Sequence, residues 1–160
     1  MAALTEEQNI IRDQAKAWVR DQQPVTKFRE VRDSQAPLCY AQPTWQAMVE
    51  MGWTGILVPE EYGGSNLGFL TFGLILEELG RNLTPSPLFS SALLGAQVLV
   101  LGGSETQKQT LLPICQLKLC TPGQILMNLR NFLKKKRQLH QNHPHHLHIV
   151  LRVSPISFRV

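Results

Sequence analysis

Two adjacent carboxylates, Glu77 and Glu78, are the side chains of this 160-residue chain whose type and spacing first suggest general acid–base chemistry. They lie within residues 74–81, where apolar residues recur at helical spacing. Neighbouring positions on a helix point about 100° apart, so the two groups cannot share one proton. We therefore interpret both as surface or ion-pair residues, and we assign no catalytic residue in this chain.

The histidines are grouped near the end of the chain, where neutral imidazoles could bind zinc, nickel or copper. They are His140, His143, His145, His146 and His148. No carboxylate lies nearby in the sequence to orient the rings, and Pro144 interrupts any helical spacing. We expect adventitious metal affinity here and predict no metal site.

A run of basic residues, Lys134 to Arg137, follows apolar residues at helical spacing. The apolar residues are Ile125, Leu129, Phe132 and Leu133. A basic amphipathic helix of this kind could lie on an anionic membrane or contact nucleic-acid phosphates. Because no aromatic residue interrupts the basic run and no base-reading motif is present, we expect a solvated, weakly ordered segment without a specific nucleic-acid partner.

The distribution of charge divides the chain near Gln116. All twelve acidic residues lie before that point together with eight Lys and Arg, which gives residues 1–116 a net charge of −4. The remaining residues hold the other eight Lys and Arg and no acid, a net charge of +8 with histidine neutral. We therefore predict a helical domain over residues 4–116 and a basic, histidine-rich tail over residues 117–160.

The amino-terminal residues and the cysteines indicate the compartment. No run approaches the ~18 uninterrupted apolar residues of a membrane span, and Glu6 and Glu7 come too early for a signal peptide or an acid-poor transit sequence. The cysteines, Cys39, Cys115 and Cys120, are odd in number and lack metal-ligand spacing, which fits a reducing compartment. These features predict a cytoplasmic protein without a membrane span.

Helical periodicity runs throughout residues 4–116, with apolar side chains at i, i+3, i+4 and i+7. Five helices are predicted: from Thr5 to Pro24, from Pro43 to Gly52, through Phe72 to Gly80, from Ser86 to Leu101, and from Glu105 to near Pro113. The first follows a capping box of Thr5 and Gln8, and the last follows a second capping box of Ser104 and Gln107. The predicted fold class is all-α, a helical bundle or orthogonal array of about five helices followed by a poorly ordered basic tail.

A sharp corner connects the second and third predicted helices. Residues 56–58 form a short apolar run without a polar partner, so we expect them to be buried, and Pro59 then disfavours a helix. Gly63 and Gly64 can take positive φ at little steric cost, and Asn66 tolerates the left-handed region better than most residues. The chain is therefore expected to turn here.

The corner reads Met-Gly-Trp-Thr-Gly-Ile-Leu-Val-Pro-Glu-Glu-Tyr-Gly-Gly at residues 51–64, and the following helix carries Glu-Glu-Leu at residues 77–79. With Gly-Ser-Glu-Thr-Gln-Lys-Gln-Thr-Leu-Leu-Pro at residues 103–113, this pattern resembles the amino-terminal helical domain of the acyl-CoA dehydrogenases over about residues 4–116. The family usually has a third glycine where Asn66 stands. The resemblance implies FAD as cofactor and an acyl-CoA thioester as substrate, with the α-proton passing to a carboxylate and the β-hydride to the flavin.

The same resemblance places Ser90 and Leu94, on the helix after Pro87, near the wall of the acyl pocket. Two other interpretations stay open: Leu94 as an ordinary core leucine, and Ser90 as a solvated or backbone-bonded hydroxyl. Most FAD contacts and the catalytic glutamate are implied to belong to a following β domain and a carboxy-terminal helical domain.

After Gln116 the chain departs from the family pattern, and an acid-free run rich in His, Leu, Arg and Pro is what translation in a shifted frame can produce. Our hypothesis is that the residues after about Gln116 are a frame-altered or truncated end. The resemblance therefore implies a fragment of an FAD-dependent acyl-CoA dehydrogenase that is inactive alone. Two alternatives stay open. One is a subunit that completes a flavoprotein with a partner chain, as a homo- or hetero-oligomer; the other is a non-catalytic binding module that uses the basic tail.

Overall fold

A computed structural model of the chain describes residues 3–35 and 38–117, and the regular structure within those ranges is entirely helical. Its α-helices are α1 (Glu6–Gln22), α2 (Val25–Asp33), α3 (Gln42–Glu50), α4 (Gly68–Arg81), α5 (Ala96–Gly102) and α6 (Glu105–Leu117). Short 3₁₀ turns occupy Trp53–Gly55 and Glu60–Tyr62, and a π-helical segment, Phe89–Gly95, leads directly into α5. The all-α prediction is confirmed for these ranges, whereas the predictions for the basic tail beyond Leu117 fall outside them.

The start of α1 is fixed by the predicted capping box. Thr5 Oγ1 accepts a hydrogen bond from the Gln8 backbone N–H at 3.2 Å, and Gln8 Oε1 accepts one from the Thr5 N–H at 3.0 Å. Ala15 and Val19 are buried on one face of the helix, which packs along α4. Two of the four otherwise unpaired amide groups of the first turn are thus satisfied locally.

Helix α2 was not predicted. It begins directly after Pro24, whose φ of −62° suits a helix start, but none of its residues is buried. Only Phe28 and Val31 are partly covered along its apolar side, so its periodic signal is weak. The apolar periodicity of the sequence therefore does not predict this nine-residue surface helix.

The prediction that Gly80 ends the third predicted helix is wrong. Gly80 lies within α4, and the left-handed residue that follows the helix is Leu83, with φ 53°. The Thr84 N–H donates to Leu79 O at 3.0 Å, as in a Schellman ending. The Asn82 side chain explains why the helix ends here: its Nδ2 donates to the carbonyl oxygens of Val19 on α1 and of Gln23, which follows α1, and so holds the chain in this path.

The prediction that the last helix ends near Pro113 is also wrong, since α6 continues through Pro113 to Leu117. Proline removes the hydrogen bond to the carbonyl four residues earlier, here that of the exposed Gln109. Tertiary contacts compensate for the loss: Leu112 and Cys115 are buried, and Gln116 is bonded to the corner. The helix is therefore continued by packing rather than by local preference.

Two clusters of buried side chains form the core. The larger one joins α1, α3 and α4 around Met48 and Ile75, with Trp18 set edge-on to Trp53 at a ring-centroid distance of 5.3 Å. The smaller one joins the corner to α5 and α6 and includes Val58, Leu99, Leu111, Leu112 and Cys115. Within the part of the chain that the structure describes, no helix is both long and apolar enough to cross a membrane.

Candidate functional site

The corner, which extends over residues 51–66, has the predicted turn, but its glycines have roles that differ from those predicted. Ile56, Leu57 and Val58 are buried as predicted, and Gly63 and Asn66 take positive φ of 81° and 47°. The expectation of positive φ at Gly64 is wrong: Gly64 is required instead because a Cβ there would overlap the Val58 carbonyl. Close backbone approach, not left-handed geometry, therefore explains this glycine.

The corner is attached to the start of α6 by Tyr62 and Glu105. The buried Tyr62 ring places its hydroxyl to donate to Glu105 Oε1 at 2.9 Å and Oε2 at 3.1 Å. Burial, together with the carboxylates of Glu105 and Glu61, raises the pKa of Tyr62 to about 12. Tyr62 is therefore a neutral hydrogen-bond donor at physiological pH.

The end of α6 is attached to the same corner by Gln116. Thr54 Oγ1 donates to Gln116 O at 2.6 Å, and Gln116 Nε2 donates to Tyr62 O at 2.8 Å. The Gln116 amide lies over Gly55, where an added Cβ would come within 2.6 Å of Gln116 Oε1. Both ends of α6 are thus held against one turn of the chain, which sets the position of α5 beside it.

The π-helical segment presents the predicted site residues to solvent. The Ala96 N–H donates to Ser91 O, five residues earlier, as well as to Leu93 O. With this wider turn, Phe89 and Leu94 lie on the same side as Val98 and Leu101, and the four side chains are 49%, 45%, 55% and 84% exposed. We call Phe89, Ser90, Leu94, Val98 and Leu101 the outer face.

The inner side of the same helix packs into the core. Ala92, Ala96 and Leu99 are each about 1% exposed, and Leu88 is fully buried. The stripe of Leu94, Val98 and Leu101 seen in the sequence therefore shares a face, but that face points outward. Periodicity alone does not distinguish the two sides, because both carry apolar residues.

Ser90 and Leu94 lie four residues apart on the same π-helical segment. Ser90 is partly buried and its Oγ donates to Pro87 O at 3.0 Å, which matches the backbone-bonded alternative. Leu94 is exposed, so the alternative of an ordinary core leucine is wrong. The role of the two residues in an acyl pocket stays a prediction.

Glu77 and Glu78 are ion-pair residues, as predicted. Arg81 Nη2 lies 2.6 Å from Glu77 Oε1, and Arg81 Nε lies 3.3 Å from Glu78 Oε1. The Glu78 side chain is nearly buried and the other two are exposed. Both carboxylates are therefore paired with Arg81 at the end of α4.

The residues of the outer face do not by themselves form a site for FAD. A dinucleotide requires donors or cations for its pyrophosphate, whereas the outer face has four apolar side chains and one serine. Gln97, which lies between Ala96 and Val98, is already committed, because its Nε2 donates to Leu57 O at 3.1 Å. Such a surface fits hydrocarbon or another apolar protein surface. Among residues 3–35 and 38–117, no group of three metal-binding side chains is present.

Comparison with known proteins identifies the domain. The family described as acyl-CoA dehydrogenase, N-terminal domain, matches residues 5–116. The probable acyl-CoA dehydrogenase YngJ of Bacillus subtilis is 34% identical over 109 residues, covering 67% of this chain and 28% of that protein. The (2S)-methylsuccinyl-CoA dehydrogenase of Cereibacter sphaeroides is 30% identical over 114 residues, covering 70% of this chain and 20% of that protein.

A solved structure of a Tcur3481-Tcur3483 steroid ACAD variant shares the fold, with a TM-score of 0.61, 25% identity, and coverage of 69% of this chain and 30% of that one. The chain spans less than a third of the length of these proteins. The family match extends over most of the 160 residues and includes the corner and all of the helices described above except the last residue of α6. This chain therefore belongs to the acyl-CoA dehydrogenase family, through the amino-terminal domain of that family.

Proposed function

We propose that residues 4–116 supply one wall of the acyl-binding pocket of an FAD-dependent acyl-CoA dehydrogenase, with Ser90 and Leu94 against the acyl chain. The observation that carries this proposal is the outer face itself, where apolar side chains are held in solvent by a helix whose other side is fully packed. Isolated domains seldom leave such a contiguous apolar stripe uncovered without a binding role. Ser90 adds a hydroxyl at the edge of the stripe.

The 160-residue chain alone is proposed to be inactive. Dehydrogenation needs a carboxylate at the α-carbon, and the flavin, when bound, supplies the hydride acceptor. The described carboxylates nearest in sequence to the outer face are committed elsewhere, since Glu78 is paired with Arg81 and Glu105 accepts from Tyr62. What this chain contributes is orientation of an apolar substrate and exclusion of water from one side.

The test uses the purified 160-residue chain. We expect no flavin absorbance in the purified protein and no reduction of an electron-accepting dye when FAD and a series of acyl-CoA thioesters are added. Dye reduction above a matched blank with heat-denatured protein would contradict the proposal of inactivity. The acyl-wall proposal is tested separately by the melting temperature, because a thioester that binds the native state must raise it.

Binding of acyl-CoA with the outer face intact, and its loss in Leu94→Asp, would support the wall assignment. The matched control is Phe69→Asp, a change of the same kind at an exposed position on α4. Equal loss of acyl-CoA binding in both variants would count against the assignment, because any added surface charge would then have the same effect.

A partner chain is the second candidate, and the exposure of the outer face favours it. If the chain completes a flavoprotein in a cytoplasmic homo- or hetero-oligomer, a partner should cover Leu94, Val98 and Leu101 and bring the FAD site with it. Co-purification with bound flavin and a defined stoichiometry would support this candidate. A colourless monomer that gains no activity with cell extract would exclude it.

A further inference from the structure

The rotation of the π-helical segment and α5 about their common axis decides which side chains form the outer face. Adjacent apolar pairs occur at residues 93–94, 98–99 and 100–101. Neighbouring helical positions point about 100° apart, so a rotation of that size exchanges the two members of each pair. Burial of apolar surface has no direction of its own, and either setting buries leucine or valine. Hydrophobic burial alone therefore leaves the rotation open.

Small residues on the inner side narrow the range of rotation but do not fix it. Ala92, Gly95 and Ala96 are buried and allow the helix to approach the corner, which the π-helical segment contacts. At helical spacing these three positions span an arc of about 100°. A rotation within that arc keeps a small residue against the corner. Another interaction must therefore define the setting.

One polar side chain supplies the missing direction. Gln97 is the only polar residue between Ser91 and Ser104. Its Nε2 donates to Leu57 O at 3.1 Å, across 40 positions of sequence. A hydrogen bond weakens steeply as its length and angle depart from the optimum, so this bond is kept only over a narrow range of rotation.

The Leu57 carbonyl depends on this donor. The neighbouring carbonyl oxygens of Gly55, Ile56 and Val58 accept backbone N–H groups of residues 58–67. The Leu57 carbonyl oxygen accepts the Gln97 side chain instead, and Leu57 is buried. A buried carbonyl without a donor costs free energy, so a rotation that withdraws Gln97 is disfavoured.

The same setting explains the contrast between two adjacent leucines. Leu93 is partly buried and packs against the larger core cluster, whereas Leu94 is 45% exposed. Leu93 and Gln97 lie four residues apart on one side of the helix, and both are half-buried. A rotation that withdraws Gln97 towards solvent therefore carries Leu93 outward with it and turns Leu94 away from the outer face.

We propose that Gln97 is a positioning residue for the acyl wall, because its hydrogen bond to Leu57 fixes the rotation at which Leu94, and not Leu93, faces the substrate. This inference rests on the proposed function, which gives Leu94 its place against the acyl chain. The rotation itself is measurable without acyl-CoA or flavin, so the two proposals can fail separately.

Thiol labelling of the full chain measures the rotation. Cys39→Ser and Cys120→Ser leave Cys115, which is buried, as the native thiol. Leu93→Cys and Leu94→Cys are then introduced one at a time and treated with a pyridyl disulfide. The thiol of Leu94→Cys should react about tenfold faster than that of Leu93→Cys, because the partly buried position reacts only when the helix opens locally.

Gln97→Met removes the donor and keeps a side chain of similar length. We expect the ratio of the two labelling rates to fall by at least about threefold, in keeping with the loss of one hydrogen bond to a buried carbonyl. Leu99→Ala is the matched control, since it removes a buried side chain of the same helix and keeps Gln97. It should lower the melting temperature and leave the ratio unchanged.

Gln97→Glu tests the donor itself through pH. At pH 8 the carboxylate cannot donate to Leu57 O, so the ratio should fall as in Gln97→Met. At about pH 5, desolvation beside a carbonyl oxygen keeps more of this carboxyl group neutral and able to donate, so the ratio should recover in part. The ratio of the unmodified chain should be the same at both pH values.

An unchanged ratio in Gln97→Met, in a protein with native near-ultraviolet circular dichroism, would overturn the proposal. An equal fall in Leu99→Ala would also overturn it, because the rotation would then follow general stability. Acyl-CoA should raise the melting temperature of the unmodified chain more than that of Gln97→Met, and an equal rise in both would remove the positioning role. If acyl-CoA leaves the unmodified chain unchanged, the acyl wall is refuted, while the labelling ratio still reports whether Gln97 fixes the rotation.

Discussion

The hydroxyl of Tyr62 donates to both carboxylate oxygens of Glu105, at 2.9 and 3.1 Å, across 43 positions of sequence. One residue belongs to the corner and the other to the first turn of α6, where an acidic side chain is also favoured by the helix dipole. The pair therefore fixes α6 relative to the corner, and through α6 it fixes the orientation of the outer face.

Alkaline pH should weaken the stabilisation that the Tyr62–Glu105 hydrogen bond provides, over the range from about pH 10 to 12. Burial and the carboxylates of Glu105 and Glu61 raise the pKa of Tyr62 to about 12, above the ordinary value of 10.0. The unfolded chain therefore loses the tyrosine proton first, and the stabilisation present below pH 10 is lost as the pH rises towards 12. Urea unfolding at pH 8, 10 and 11.5 should show a falling midpoint.

Tyr62→Phe is the control for this loss of stability at alkaline pH. The variant keeps the buried ring but loses the bond to Glu105, so we expect its melting temperature at pH 8 to fall by about 5 °C. Its further loss between pH 10 and 11.5 should be smaller than that of the unmodified protein. An equal alkaline loss in both proteins would show that other groups are responsible.

Gly64→Ala should be among the most damaging substitutions in the chain. The new Cβ overlaps the Val58 carbonyl, and Val58 is fully buried, so neither backbone segment can move without disturbing the core. We expect a loss of about 3 kcal/mol or more in the free energy of unfolding, at the upper end of the cost of overpacking. Denaturant titration measures it.

Gly73→Ala is the matched change at a permissive position. Gly73 lies within α4 at ordinary helical φ, and nothing lies within 4 Å of an added Cβ. Alanine there should raise the free energy of unfolding by about 0.5–1 kcal/mol. A destabilised Gly73→Ala, or a stable Gly64→Ala, would contradict the geometry described here.

Substitutions on the outer and inner sides of α5 should have different effects on the free energy of unfolding and on the amount of exposed apolar surface. Val98→Ser removes an exposed side chain and should change the free energy of unfolding by less than about 0.5 kcal/mol. Leu99→Ala, one residue further, removes a buried side chain and should cost about 2–5 kcal/mol. Only Val98→Ser should reduce binding of an environment-sensitive apolar dye, and a dye response that follows Leu99 instead would argue against the outer face.

Asn82 tests the connection between the end of α4 and α1. Asn82→Asp keeps the size of the side chain but replaces the donor with a carboxylate facing the Val19 and Gln23 carbonyl oxygens. A lost donor and an added repulsion should cost about 1–3 kcal/mol in the free energy of unfolding at pH 7. Because protonation relieves the repulsion, the deficit should shrink at pH 4; a deficit independent of pH would indicate a different cause.

The features that the sequence predicts correctly depend on residues that are adjacent in the chain or one helical turn apart. The capping box of Thr5 and Gln8 is a local motif, and positive φ is permitted at Gly63 by the absence of a Cβ and at Asn66 by a short polar side chain. The ion pairs of Arg81 with Glu77 and Glu78 follow from helical spacing alone.

Features set by contacts distant in sequence were not predicted. Continuation of α6 past Pro113 depends on Thr54, which bonds to Gln116 across 62 positions, and no local rule indicates that bond. Leu83 adopts a left-handed conformation because Asn82 is held by α1. The outward direction of Leu94 and Val98 likewise depends on which side of the helix meets the corner, a choice that the sequence pattern leaves undetermined.

The π-helical segment has a consequence for how this domain tolerates changes in length. A turn closed five residues apart holds one residue more than an α-helical turn, so the helix absorbs that residue without rotating the segments on either side of it. Deleting a single residue between Phe89 and Gly95 would let this turn close as in an α-helix and leave Leu88 in the interior, whereas a deletion in the regular turns of α5 would rotate one side against the other by about 100°. The domain should therefore tolerate the loss of one residue in this turn better than in the regular helix that follows.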